Sequence, residues 1–139
     1  MTHDRGARGF TLVELSVVLI VLGIIVSIAV AGTARLVATS RRIGATNTLL
    51  ADLHRARMLA ATERSLYQIR FTSGGYSLVR ASTMQTVVSR VSPTGVTFAT
   101  SDTAYFYPWG LVRPVTVSVN GCTGSSTLML SASGNVTRD

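Results

Sequence analysis

Twenty consecutive residues, Leu15 to Ala34, carry no charge and are mostly Val, Ile, Leu and Ala. As a helix rising about 1.5 Å per residue, such a run matches the ~30 Å hydrocarbon core of a bilayer. Val and Ile are modest helix formers in water. In lipid the backbone must satisfy its own hydrogen bonds, and a helix does so locally. The segment also accounts for the high apolar fraction of 47% and mean hydropathy of +0.39. Once it is set aside, about 75–100 residues remain for a folded head, so its core is small.

The flanks give the segment a direction. Arg5 and Arg8 stand directly before it, which favours a cytoplasmic N-terminus and a non-cytoplasmic remainder. Arg35, Arg41 and Arg42 follow closely and weaken that bias. A cleaved secretory signal fits poorly. The apolar run is too long, and Ala29-Val30-Ala31 is a weak cleavage site. A plain signal anchor fits better, but it leaves Glu14 unexplained. A carboxylate at the start of an apolar helix is costly and by default functional, so it needs a partner. A cut between Gly9 and Phe10 would create one, the α-amine of Phe10. Paired with Glu14 of a neighbouring subunit, that cation neutralises the carboxylate and sets an axial step. The helix dipole also favours a negative charge in the first turn.

Arg8-Gly9-Phe10-Thr11-Leu12-Val13-Glu14 and the following Leu15-Ser16-Val17-Val18-Leu19-Ile20 closely resemble the type IV prepilin signature. The resemblance implies that a prepilin peptidase cuts after Gly9 and methylates the amine of Phe10. It also implies that Glu14 is the assembly carboxylate. Many major pilins carry a helix-kinking Pro further along the span. Here the region reads Ile28-Ala29-Val30-Ala31, which suggests a straighter helix and a minor subunit.

From Arg35 to about Glu63 there is no Pro. Leu36, Ile43, Leu50 and Leu53, joined by Leu49, Ala56 and Ala60, recur at helical spacing, with Arg41, Arg42, Arg55 and Arg57 mostly off the stripe. The expectation is one helix, apolar all round at first and amphipathic later. After Arg64, short strand-like runs alternate with turns. The runs are Leu66–Phe71, Tyr76–Arg80, Thr86–Val91, Val96–Ala99, Tyr105–Tyr107, Val115–Val119, Thr127–Ser131 and Val136–Thr137. The turns fall at Ser73-Gly74-Gly75, Ser92 to Gly95, Pro108-Trp109-Gly110, Asn120-Gly121 and Ser133-Gly134-Asn135. The fold class is α+β, a long helix packed on one small antiparallel sheet. The expected organisation is a leader over 1–9, a transmembrane half-helix over 10–34, an amphipathic half over 35–64 and a β-rich head over 65–139.

Within the head, Gly95-Val96-Thr97-Phe98, Phe106-Tyr107-Pro108-Trp109-Gly110, Leu128 to Ser131 and Gly134-Asn135-Val136 resemble the GspH/FimT minor pseudopilins. That family implies a structural subunit of a type II secretion pseudopilus or a type IV pilus. Its implied partners are other pilins or pseudopilins, the prepilin peptidase and an inner-membrane assembly platform. Some members bind DNA through a Gly-Arg-x-Arg-like stretch near the C-terminus. Here the sequence is Gly134-Asn135-Val136-Thr137-Arg138, so the first arginine is missing and the second is displaced.

The net charge is +7 and every cation is Arg. Arg80, Arg90, Arg113 and Arg138 are the candidates for a phosphate-attracting patch; the blander reading is solvated arginines that keep a small head soluble. Trp109 and the Tyr105-Phe106-Tyr107 run read as core or sheet-face packing rather than a base-stacking platform. Cys122 is the only cysteine, so no intramolecular disulfide is available. The two histidines, His3 and His54, form no cluster, the carboxylates are scattered, and no phosphate-binding loop precedes a helix. The expectation is a non-enzyme without cofactor or metal.

Overall fold

The computed structural model describes residues 11–139 apart from Ser73 and Ser101. Helix α1 spans Leu12–Thr62. Eight strands follow: β1 Tyr67–Thr72, β2 Gly75–Arg80, β3 Gln85–Val91, β4 Val96–Thr100, β5 Ala104–Phe106, β6 Val115–Gly121, β7 Gly124–Leu130 and β8 Val136–Arg138. The chain divides into two compact units, residues 1–36 and 37–139, with the boundary inside α1.

In the first unit the large side chains from Leu12 to Ile28 are solvent-exposed. The best 18-residue window has a mean hydropathy of 2.9 and meets the length and composition required to cross a membrane. Its one early hydroxyl is satisfied inside the helix, because Ser16 Oγ donates to the Leu12 carbonyl at 2.8 Å.

The second unit is the head. Its strands form two four-stranded antiparallel sheets, ordered β3-β2-β1-β5 and β4-β6-β7-β8, rather than the single sheet expected. The strand-like runs do not reveal this division, because it depends on which distant strands pair. Strand β1 takes β5 as a neighbour through Tyr67↔Phe106, whereas β4, lying between β3 and β5 in sequence, pairs with β6. The inner faces alternate as half-buried strands must. Tyr67, Ile69, Tyr76, Leu78 and Phe106 come from the first sheet, and Val115, Val117, Val119, Leu128 and Leu130 from the second.

Against them α1 contributes Ala45, Leu49, Leu53, Ala56 and Ala60. The buried stripe is therefore shorter than its sequence pattern. Leu36 is 69% exposed and Ile43 is 38% exposed, whereas Thr46 and Asp52 are buried. Arg42 and Arg57 are also not wholly solvent-facing. Arg42 Nη1 donates to the Ser125 carbonyl at 3.2 Å and to Ser126 Oγ, and Arg57 Nη1 donates to the Gly134 carbonyl at 3.4 Å. Their long stems allow charged residues beside the stripe to reach across to the second sheet. The helix ends where Arg64 turns into the left-handed region at φ 46°.

Two hairpins differ from the expected turns. Thr72 pairs with Gly75, so the first connection is a two-residue one. Asn120 and Gly121 lie in β6, and the chain reverses at Cys122-Thr123 between the paired Gly121 and Gly124. Gly75 is obligatory. Its φ is +152°, and a Cβ there would lie 1.9 Å from the Arg90 carbonyl oxygen on β3. Gly75→Ala is expected to cost about 2 kcal/mol, from backbone strain and a parted β2–β3 pair. Thermal unfolding of the variant beside the native chain checks this.

Candidate functional site

Three features bear on function: the start of α1, the arginines of the head and a buried carboxylate. Gly9 and Phe10, and the expected cut between them, lie outside the described residues. Thr11, the first described residue, caps the helix. Its Oγ1 accepts the Glu14 N–H at 3.2 Å and its carbonyl accepts the Leu15 N–H at 3.1 Å. Thr11-x-x-Glu14 thus has the spacing of a capping box, of which the half made by Thr11 Oγ1 and the Glu14 backbone N–H is present. The carboxylate sits in the first turn, where the exposed N–H groups of the helix start favour negative charge.

The four candidate arginines are dispersed over the head. Arg80 on β2 pairs with Glu63, and its Nε donates to the Tyr67 hydroxyl at 3.1 Å. Arg90 on β3 pairs with Asp52 at 3.0 Å. Arg113, between β5 and β6, pairs with Asp102 at 2.8 Å and lies over the Tyr105 ring. Arg138 ends β8 on the other sheet and is exposed. Three of the four therefore have carboxylate partners within the head. Each such pair reduces the field that an external phosphate would feel.

Trp109 departs from its expected place. It is 69% exposed and stacks on Tyr107 at 5.2 Å between ring centroids, while Phe106 just before it is buried. The alternation that buries Ala104 and Phe106 ends with β5, and the Pro108-Trp109-Gly110 turn carries the indole outward.

Asp52 was hidden in the sequence because it interrupts an apolar stripe. It is 3% exposed. Tyr76 Oη donates to its Oδ2 at 2.7 Å, and Arg90 Nε donates to the same oxygen at 3.0 Å. The Tyr76 ring meets Phe98 edge-on at 5.3 Å, with Phe71 completing the cluster. Helix and both sheets are thereby tied at one point. Burial, reinforced by the bond to Asp52, raises the Tyr76 phenol above its ordinary pKa of 10. The unfolded phenol then ionises first as pH rises. This contribution to stability is complete below about pH 10 and is lost as pH climbs toward the folded value. Tyr76→Phe is expected to cost about 1 kcal/mol at pH 7 and to flatten the alkaline loss above pH 10. Thermal melts at a series of pH values check both.

The N-terminal residues 4–30 match the family described as the prokaryotic N-terminal methylation motif. No curated protein sequence matches the chain. Solved structures do. The minor pseudopilin EpsH from the type 2 secretion system of Vibrio cholerae superposes with a TM-score of 0.60 at 12% identity, over 70% of this chain and 94% of its own. The type IV minor pilin FimU of Pseudomonas aeruginosa superposes in two crystal forms. One gives a TM-score of 0.56 at 18% identity, over 69% of this chain and 90% of its own. The other gives 0.58 at 16% identity, over 77% and 91%. The fold is pilin-like. At these identities the match concerns the fold, and the methylation motif is a separate likeness confined to the N-terminal residues. Among the described residues no cluster of His, Cys, Asp and Glu could hold a metal ion.

Proposed function

We propose that the chain is a minor pilin or pseudopilin, a structural subunit of a type IV pilus or a type II secretion pseudopilus, and not an enzyme. The observation that carries this reading is the methylation motif over residues 4–30 running into an apolar helix, on a chain whose head is pilin-like. In this reading prepilin peptidase removes residues 1–9 and methylates Phe10. The apolar half-helix holds the subunit in the inner membrane with its head in the periplasm until the assembly platform draws it into the filament. Lateral packing of apolar helices then replaces contact with lipid. The Phe10 amine of one subunit meets Glu14 of the next in a dry core, where an unpaired charge would be costly. Gly9→Leu tests the processing step. Uncleaved precursor is expected to accumulate in the membrane, and normal cleavage of that variant would count against the proposed site. DNA capture by the head is the alternative reading. It draws little support from arginines that are mostly paired with carboxylates of the same head.

A further inference from the structure

The head has a cleft of about 270 Å³ beside the Asp52 cluster. Ala45 from α1, Tyr76 from β2, Val91 from the end of β3 and Phe98 from β4 wall it, and Arg41 and Arg90 add two guanidinium groups to its lining. The volume is below the usual range for small-molecule pockets and fits one aromatic or large aliphatic side chain.

The charges say what should accompany that side chain. Asp52, Glu63 and Asp102 are each held by an arginine other than Arg41. Arg41 is exposed and has no carboxylate partner among the described residues. Arg90 spends its Nε and Nη2 on Asp52, so its remaining Nη1 donors are available. That pairing also holds the guanidinium in place before any ligand arrives. The cleft thus combines a dry wall for one apolar group with the unneutralised charge of Arg41 and the pre-placed Nη1 donors of Arg90, whose own charge Asp52 offsets; together they suit a carboxylate.

We propose that this cleft docks an acidic–apolar segment of a neighbouring pilin-type subunit. An aromatic or large aliphatic side chain fills the space, and an adjacent Asp or Glu bridges Arg41 and Arg90. The proposal rests on the filament-subunit reading and assigns one of its contacts.

The test places the photo-crosslinker benzoylphenylalanine at Thr48, an exposed lining residue, in the full chain expressed in cells that assemble the filament. The expected product is a covalent adduct with a second pilin-type subunit. Its crosslinked peptide should contain Asp or Glu within about two residues of an aromatic or large aliphatic one. Arg41→Glu should lower adduct yield about tenfold, the equivalent of one charge-assisted hydrogen bond. Reversing the partner's acid to Arg should restore it. The Arg41→Glu chain should melt like the native one, since Arg41 is exposed. No adduct, an adduct with lipid, a peptide without a carboxylate, or a yield indifferent to Arg41→Glu would each overturn the proposal. The N-terminal mass of the same chain, measured in parallel, separates this failure from failure of the filament reading.

Discussion

Glu14→Ala is expected to reach the membrane and to be cut, yet to be depleted from filaments by more than about tenfold. Insertion depends on the apolar run, which the substitution extends. In the proposed function assembly depends on neutralising the Phe10 amine in a dry core, and loss of the counter-charge there would cost a few kcal/mol. A capping role for the Glu14 side chain is a competing explanation, worth about 1 kcal/mol or less. The bond from the Glu14 backbone N–H to Thr11 Oγ1 survives in alanine, but the spacing also lets a Glu side chain return to the N–H of the cap. Glu14→Gln separates the two. Glutamine preserves a capping box but carries no charge. It should assemble as poorly as alanine if the carboxylate pairs with the amine, and close to normally if capping is the whole role. Quantitative blotting of sheared filaments against the membrane fraction reads out both variants.

Asp52→Ala is expected to be the most damaging single change in the head, at about 3 kcal/mol. The alanine removes the acceptor for Tyr76 Oη and Arg90 Nε and leaves the buried phenol without its observed acceptor. Arg90 is the lesser part of the loss. Its side chain is 46% exposed and can return to water, so the ion pair itself is discounted toward surface values. A loss of that size lowers Tm by roughly 12–20 °C in a domain of about 100 residues. Asp52→Asn keeps an oxygen acceptor for the phenol and should lose less than half as much. Near-ultraviolet circular dichroism during thermal unfolding of the full chain in detergent follows the Tyr76–Phe98 packing. An Asp52→Ala chain that melts within about 3 °C of native would show that the cluster does not tie the head together.

The local elements of the head were legible in the sequence, whereas their partners were not. Each strand-like run became a strand, with edges shifted by at most three residues, because alternating side chains and Gly-rich turns act over short distances. Division into two sheets depends on β4 choosing β6 over the neighbours nearer in sequence. No alternation pattern encodes that choice. The helix stripe was legible from Leu49 onward and misleading at Leu36 and Ile43, where apolar residues continue at the right spacing but Leu36 is left largely exposed and Ile43 partly so. Asp52 illustrates the converse. A carboxylate on a buried stripe reads as an interruption until Tyr76 and Arg90, distant in sequence, are seen to converge on it.

The same distinction holds for the candidate site residues. The proposed role of Glu14 starts from a local fact, the cost of a carboxylate in an apolar run. Arg80, Arg90 and Arg113 looked like free cations because their carboxylate partners lie between 11 and 38 residues away. The motif at the N-terminus and the pilin-like fold of the head are independent observations, and the proposed function rests on both.

The mass of the N-terminal peptide, taken from chain extracted from native membranes, tests the central claim most directly. The expected peptide begins at Phe10 and carries one methyl group on its α-amine. A chain that retains Met1 to Gly9, or one cut instead after Ala31, would contradict the account.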